Sequence, residues 1–571
     1  MKFWSVVLLA FLASVLPLLA EAQQLSESDA RSLYELRNAE VQQLWPKKEW
    51  AKAAAILEGM SSNPDLMKIP EIELDVRYNL ACAYSRLNQK EKALAILRQI
   101  TAARPMNPEQ IESDSDFGNI RNEPAYKELL ASIRAVWEVK DRFWNSPAMI
   151  TPYKENISED EKIAGLTRFW AEAKYNFAWF SRVPDLDWDA KYVEYLPKVR
   201  ASRSTLEYYR LLMQFAALLK DAHTGVWGPN EVQQQMSAWP GVTLNLVEGH
   251  VLVASVMDDA LSAAHVRRGV ELVAVDGLPV REYAARFVRP YQAASSPQDL
   301  ERRSLQYSLL GGVPATAVRL QFQDDSGETI DVSAVRLSET ERSKHSTAPQ
   351  WKRFEFEMRD GNIAYVALNS FGSSDIVSDF EKSWPEIEKA SALILDVRRN
   401  GGGSSGYGTA ILSYLTAKGG PGEAVKTRLY RPAYRAWGAI EEWTPEKKWN
   451  VGTRGDDIFK GSIVLLIGPG TFSAAEDFAA SFDMLEVGTI MGEPSGGSTG
   501  QPLQFRLPGG GGARVCTLQA RYADGRDFVG TGIQPHIRVA PTVADFRLGK
   551  DTVLDAALAH LRQERRTARA Q

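Results

Sequence analysis

The chain is 571 residues long, with 44% apolar residues, 24% charged residues and a formal net charge of −5. That length allows three or four domains, and the ordinary apolar fraction describes globular units with ample core rather than a disordered chain. A mildly negative balance with no basic stripe and no nucleic-acid motif argues against nucleic acid as a partner.

Met1-Lys2, the apolar run VVLLAFLASVLPLLA and Ala20-Glu21-Ala22 make the charged start, hydrophobic centre and small-x-small site of a secretory signal peptide. Residues 1–22 are therefore expected to be removed. An uncleaved anchor is the alternative, weakened by Pro17 inside the run and by the cleavage pattern after it. No cysteine follows the run to take a lipid, and no second long apolar segment occurs, so no membrane span is expected after cleavage. The mature protein is expected to be exported, to a periplasmic or extracellular location. Of two cysteines, Cys82 lies in a helical region and Cys516 in a later one; a disulfide is possible, and two buried thiols are the commoner outcome.

Residues 25–140 follow helical periodicity. Ala81, Tyr84, Ala93, Leu97 and Pro105 keep a spacing that Ala53, Leu57 and Met60 echo one expanded repeat earlier. This resembles tetratricopeptide repeats, whose surfaces hold peptides or partner proteins; an ordinary helical bundle is the alternative. Residues 141–235 are helical and aromatic-rich, and the helical spacing of Phe169, Trp170 and Tyr175 to Phe180 assigns these rings to a core. In residues 236–342 the stretch GVTLNLVEGHVLVASV alternates through a turn, 260–266 is helix-like, and GVELVAVDGLPV carries an Asp-Gly turn. This resembles a PDZ domain, a module that binds extended peptides at a sheet edge, with Gly269-Val270-Glu271 in place of the usual Gly-Asp. A polar linker with His345 then leads to residues 350–545, and 546–571 form a C-terminal helix and tail.

Within 350–545, Ala392 to Val397 and Ile463 to Ile467 are apolar runs without alternation, the pattern of buried parallel strands. The first ends in Asp396-Val397-Arg398-Arg399-Asn400-Gly401-Gly402-Gly403, where glycines let the backbone approach a substrate and aim N–H groups outward; a flexible turn held by an Asp396–Arg398 ion pair is the plain alternative. The second is broken by Gly468-Pro469-Gly470 and leads to Ser473 at the start of a helical pattern. A serine there faces unpaired N–H groups and the positive end of a helix dipole, which suits a nucleophile that generates an oxyanion. Ser473-Ala-Ala-Glu476 is equally a capping box, and taken alone most such serines are caps.

A serine nucleophile needs a base. No lysine occurs between Lys460 and Lys550, and of the six histidines His223 stands out, at the end of a helical pattern in Asp221-Ala-His-Thr-Gly225, although histidines at helix ends are commonly dipole partners.

The four motifs DAHTG (221–225), LDVRRNGGG (395–403), GTFSAAE (470–476) and GTGIQP (530–535), in this order, resemble the C-terminal processing (tail-specific) serine peptidases, the tricorn core and the interphotoreceptor retinoid-binding repeats. The resemblance spans about residues 160–545. It implies a multidomain α+β protein: a crotonase- or ClpP-like αββ catalytic core with an inserted PDZ-like domain and an N-terminal all-α domain. It implies further that Ser473 is the nucleophile, His223 its base, and Gly402 with the Ala474 N–H the oxyanion hole, with no metal or organic cofactor and a peptide or protein as substrate. The chain departs from the pattern at Ser498, which stands where the processing-peptidase branch has a lysine, and at Ala222, where the tricorn branch has a serine. No glutamate follows Glu493 before the C-terminal helix, so the acid that would orient His223 is sought among Asp524, Asp527 and Glu476. A peptide- or ligand-binding scaffold without turnover, and a hydrolase of non-peptide esters, are the rival readings.

Overall fold

The computed structural model describes residue 25 and residues 27–344, 351–439 and 441–570. The expected signal peptide at 1–22 and His345 lie outside the described residues. Two compact units divide the chain, one ending at Ser146 and the other beginning at Pro147.

The first unit is helical, and helix Pro124–Trp144 carries it past residue 140. Helix Pro70–Arg86 packs against Trp50–Ser61 on one side and Lys90–Ala103 on the other. Of the residues at the repeat-like spacing, Ala53, Leu57, Met60, Ala81, Tyr84, Ala93 and Leu97 are buried in one cluster, with small alanines letting the helices approach, while Pro105 is exposed. Cys82 is a buried free thiol here, as is Cys516 in the second unit.

In the second unit a six-stranded sheet runs in the order Phe354–Arg359, Ile363–Leu368, Ala392–Asp396, Ser462–Ile467, Thr489–Gly492, Ile537–Arg538. Only the first pair is antiparallel. The two runs read as buried parallel strands lie side by side at its centre, in the register Leu393↔Ile463 and Leu395↔Leu465. Alternation does sort their side chains: Leu393, Leu395, Ile463 and Leu465 pack with Phe380, Phe478 and Phe482, while Ala392, Ile394, Val464 and Leu466 pack against Val553, Ala557 and Leu561 of helix Thr552–Ala570. Both faces are apolar because both are covered, which is why no polar alternation showed in the sequence.

The aromatic segment is core. Phe169, Phe177, Trp188 and Phe215 are buried in the cluster that underlies the sheet, with Trp188 stacked on Phe215 at 4.2 Å. Strand Gly225–Trp227 then joins Gly512–Cys516 and Pro502–Arg506 in a separate three-stranded sheet.

Residues 242–335 form a further antiparallel sheet in the order Val242–Val247, His250–Val256, Glu271–Val275, Ala317–Gln323, Thr329–Val335. Its tight turns fall where expected, with Glu248 and Gly249 at φ 49° and 84° and Asp276 and Gly277 at 50° and 81°, the doubly left-handed geometry that suits a two-residue hairpin. Helix Asp259–Ala263 covers the first part of the expected 260–266 stretch and ends at Ala264, before His265 at φ 64°.

Candidate active site

Ser473 follows the central strand Ser462–Ile467 through a turn that is pinned at three points. Thr471 N–H donates to Gly468 O at 2.8 Å, Thr471 Oγ1 accepts from Gly468 N–H at 3.1 Å and itself donates to Val397 O at 2.9 Å. Phe472 N–H donates to Asn400 O at 3.0 Å, so the two turns at the carboxyl ends of neighbouring strands are stitched together. Between these anchors Ser473 is forced to φ 56° and ψ −129°, a conformation that costs a side-chain-bearing residue about 1–3 kcal/mol. Its side chain makes no capping bond to helix Ala474–Met484.

Instead Ser473 Oγ lies 3.0 Å from His223 Nε2. His223 arrives from the turn after helix Thr205–Ala217, just before strand Gly225–Trp227. Its other ring nitrogen, Nδ1, is 2.8 Å from Ser498 Oγ. For Nε2 to accept the serine proton the ring proton must sit on Nδ1, where Ser498 Oγ is placed to accept it; a hydroxyl suits either tautomer, so Ser498 fixes the orientation of the ring rather than the site of its proton. The ring stacks on Phe472 at 5.0 Å and 5°. Burial pushes the His223 pKa down to about 3, and the nearby guanidiniums of Arg514 and Arg303 add to the effect.

Ser498 is itself held by the loop it belongs to. Its N–H donates to Glu476 Oε2 at 2.7 Å, and its carbonyl accepts from Ser473 N–H at 2.9 Å. Glu476 Oε1 accepts from Ser495 Oγ at 2.5 Å and Gly497 N–H at 2.7 Å. Burial pushes the Glu476 carboxyl up to about 8, against three donors that favour its ionised form. Glu476 thus neither caps Ser473 nor touches His223; it fixes the loop that presents Ser498.

Asp524 is not brought to His223. It is exposed and bound to Arg526, through Nε at 2.7 Å and the Arg526 N–H at 3.0 Å, and Asp527 is exposed as well. A carboxylate with a guanidinium two residues away is satisfied locally, and Nδ1 is already taken by a hydroxyl. The member that sequence reasoning missed is Ser498, noted only as the residue standing in a lysine position; a search for an acid passes over it.

Gly402 and Ala474 do meet at the serine. A Cβ on Gly402 would come within 2.6 Å of Ser473 Cβ and 3.1 Å of Ala474 N, so only glycine, here at φ 101°, fits. The Gly402 N–H is nevertheless turned away, donating to Asn400 Oδ1 at 2.9 Å, which corrects the expectation that it faces an oxyanion. Among the described residues the N–H groups of Ala474 and of exposed Gly403 carry no hydrogen bond. Asp396 and Arg398 form the ion pair, at 2.6 Å, and Arg398 also binds Asp551 at 2.7 Å; they brace the turn rather than enter the site.

Residues 362–539 match the family model of Peptidase family S41. Over 406 residues, 67% of this chain, the sequence is 24% identical to a tricorn protease homolog 2 of Streptomyces coelicolor, and over 184 residues, 32% of this chain, it is 26% identical to a chloroplastic C-terminal processing peptidase of Tetradesmus obliquus. These matches cover 31% and 36% of the two relatives, so the chain spans about a third of the length of the curated relatives it matches. The structure of mature CPAF complexed with lactacystin is similar in fold, with a TM-score of 0.55 at 17% identity over 68% of this chain and 95% of that one.

Proposed function

We propose, from the match of residues 362–539 to the model of Peptidase family S41 and from the geometry around Ser473, that the chain is a serine endopeptidase acting on peptides or protein tails through an acyl-enzyme. Ser473 attacks the carbonyl, His223 takes the proton at Nε2 and returns it to the leaving amine, and Ser498 keeps the ring in register. The Ala474 N–H receives the oxyanion together with the Gly403 N–H. The observation that carries the reading is the continuous path Ser473 Oγ, His223 Nε2, His223 Nδ1, Ser498 Oγ, with links of 3.0 and 2.8 Å.

Capture of a peptide by the PDZ-like segment is part of the same proposal. It is supported by strand Val242–Val247, an edge strand paired on one side only, and by a cavity of about 700 Å³ beside it lined by Trp239, Leu244, Tyr307 and Leu310.

Labelling with a fluorophosphonate, mapped by mass spectrometry, tests the chemistry. Wild type should be labelled at Ser473, and His223→Ala should lose the label. A folded wild type that takes no label overturns the reading and favours a binding scaffold.

A further inference from the structure

Beside the imidazole lies a second cavity, of about 330 Å³, that the proton path does not use. Its walls include Ala222 and Thr224, the residues on either side of His223. Its floor is a row across the three-stranded sheet, Gly225↔Arg514↔Gln504. Arg303 closes it from the other side, with its guanidinium 5.5 Å over the ring of Phe472, whose opposite neighbour in the chain is Ser473. The cavity is therefore walled by the two chain neighbours of His223 and by an arginine that touches Phe472, the residue before Ser473.

Its charge is one-sided. Two arginines line it, and no Asp or Glu does among the described residues. Arg514 is half-buried, forms no salt bridge among the described residues, and spends one donor, Nη2, on Ala222 O at 2.9 Å. Arg303 binds Asp299 through Nε at 2.8 Å, while its two Nη groups carry no hydrogen bond among the described residues. Asp221, wholly buried outside the lining, acts on Arg514 at a distance and offsets part of its charge, without a hydrogen bond to it. The remaining lining groups, Tyr291, Gln292 and Gln504, are neutral. Unspent guanidinium donors in a recess with no lining acid are a receptor for a planar anion, and a carboxylate fits that fork geometry.

We propose that Arg514 and Arg303 form a carboxylate-binding subsite, so that this site favours peptides carrying an acidic group beside the bond to be cleaved. The inference rests on the peptidase reading above and names its substrate class. A bound carboxylate would also offset the field of two cations on His223, so the acidic substrate gains in kcat as well as in KM.

The test uses the full chain with matched peptides that differ only in Glu against Gln near the cleaved bond, each with a free or an amidated C-terminus. Wild type should prefer the acidic peptide by about tenfold in kcat/KM at low salt, with the preference shrinking as salt screens it. A preference that follows Glu assigns a side-chain carboxylate, and one that follows the free terminus assigns the α-carboxylate. Arg514→Gln should bring the ratio near one, and Arg514→Glu should invert it toward a Lys peptide. Because Arg514 also supports Ala222, Arg303→Gln is run alongside and should lower the same ratio. Equal rates on charged and neutral peptides in wild type, or a ratio unmoved in both Gln variants, overturn the subsite while leaving the peptidase intact. If no peptide is turned over, the peptidase reading fails, and fluorescence polarisation of the same peptides on Ser473→Ala still decides the subsite: tighter binding of the acidic peptide supports it and equal binding refutes it.

Discussion

Serine followed by glutamate three positions later opens the helices after Ser158, Ser204, Ser338 and Ser473, and the first and last of these use the pattern in opposite ways. At Ser158 the backbone is extended, φ −62° and ψ 159°; the hydroxyl accepts from Glu161 N–H at 3.2 Å and Glu161 reaches back to Ser158 N–H at 2.8 Å. At Ser473 the backbone is left-handed, neither reciprocal bond forms, the hydroxyl turns to His223, and Glu476 turns to the 495–498 loop. The letters S-x-x-E supply donors and acceptors; the preceding turn decides which partners they meet. The chain entering Ser158 is tied to Thr205, through Ile157 N–H at 3.1 Å and Glu155 O at 2.8 Å, but these bonds leave it extended, so local satisfaction wins. Around Ser473 the bonds of Thr471 and Phe472 impose the conformation, and the hydroxyl is left for another element to claim.

The contrast can be broken most sharply at Ser473 itself. Ser473→Ala should lower kcat/KM by about 10⁴-fold or more, and because no cap is lost its melting temperature should stay near that of wild type. A large drop in melting temperature with modest loss of activity would make Ser473 a cap after all. Next in size, Ser498→Ala removes the hydroxyl at Nδ1 and should cost about 10- to 100-fold in kcat with a smaller change in KM, since it leaves Nδ1 without a partner and frees the ring to turn away from Ser473.

A third measurement sharpens the electrostatics. The His223 pKa is depressed in the folded protein, from 6.5 to about 3, so the folded state keeps a neutral base where the unfolded state is protonated. That contribution to stability is fully present above pH 6.5 and is lost as pH falls toward 3. The pH profile of kcat/KM should accordingly hold its value below 6.5, and Arg514→Gln, which removes one of the cations acting on the ring, should move the acid limb to higher pH. An acid limb that stays at the ordinary histidine value in both proteins contradicts the burial. The smallest effect belongs to the other helix: Ser158→Ala should cost about 1 kcal/mol of stability in denaturant titration and leave catalysis alone.

Much of this was legible before any coordinates. The apolar runs at 392–397 and 463–467 form adjacent parallel strands, which being covered on both faces need no polar alternation, and the glycine turns after them meet at Ser473. The proximity of His223 to Ser473 was readable only through the order of four motifs, since 250 residues separate the two. Ser498 was not legible as a partner of His223: a hydroxyl in a loop carries no signal of its own, and the carboxylates that did carry one, Asp524 and Glu476, are engaged by Arg526 and by three donors of the 495–497 region and Ser498. The Gly402 amide was misjudged because a side chain two residues back, Asn400, competes for it, and such local competition depends on rotamer rather than on composition. Arg303 could not be placed at the site at all, because it is contributed by a segment that the pattern assigned to a different domain.

The distance in sequence between His223 and Ser473 has a consequence in time. A ribosome adds about 5–20 residues per second, so the base is made first and the nucleophile, 250 residues later, follows after about 10–50 s at that pace. Through that interval the chain holds half of a catalytic device and no means of cutting itself or its neighbours. On the proposed mechanism, activity waits until Ser473 and Ser498 have been made and strand Gly512–Cys516 has paired with Gly225–Trp227 next to His223, so the order of synthesis itself delays hydrolysis.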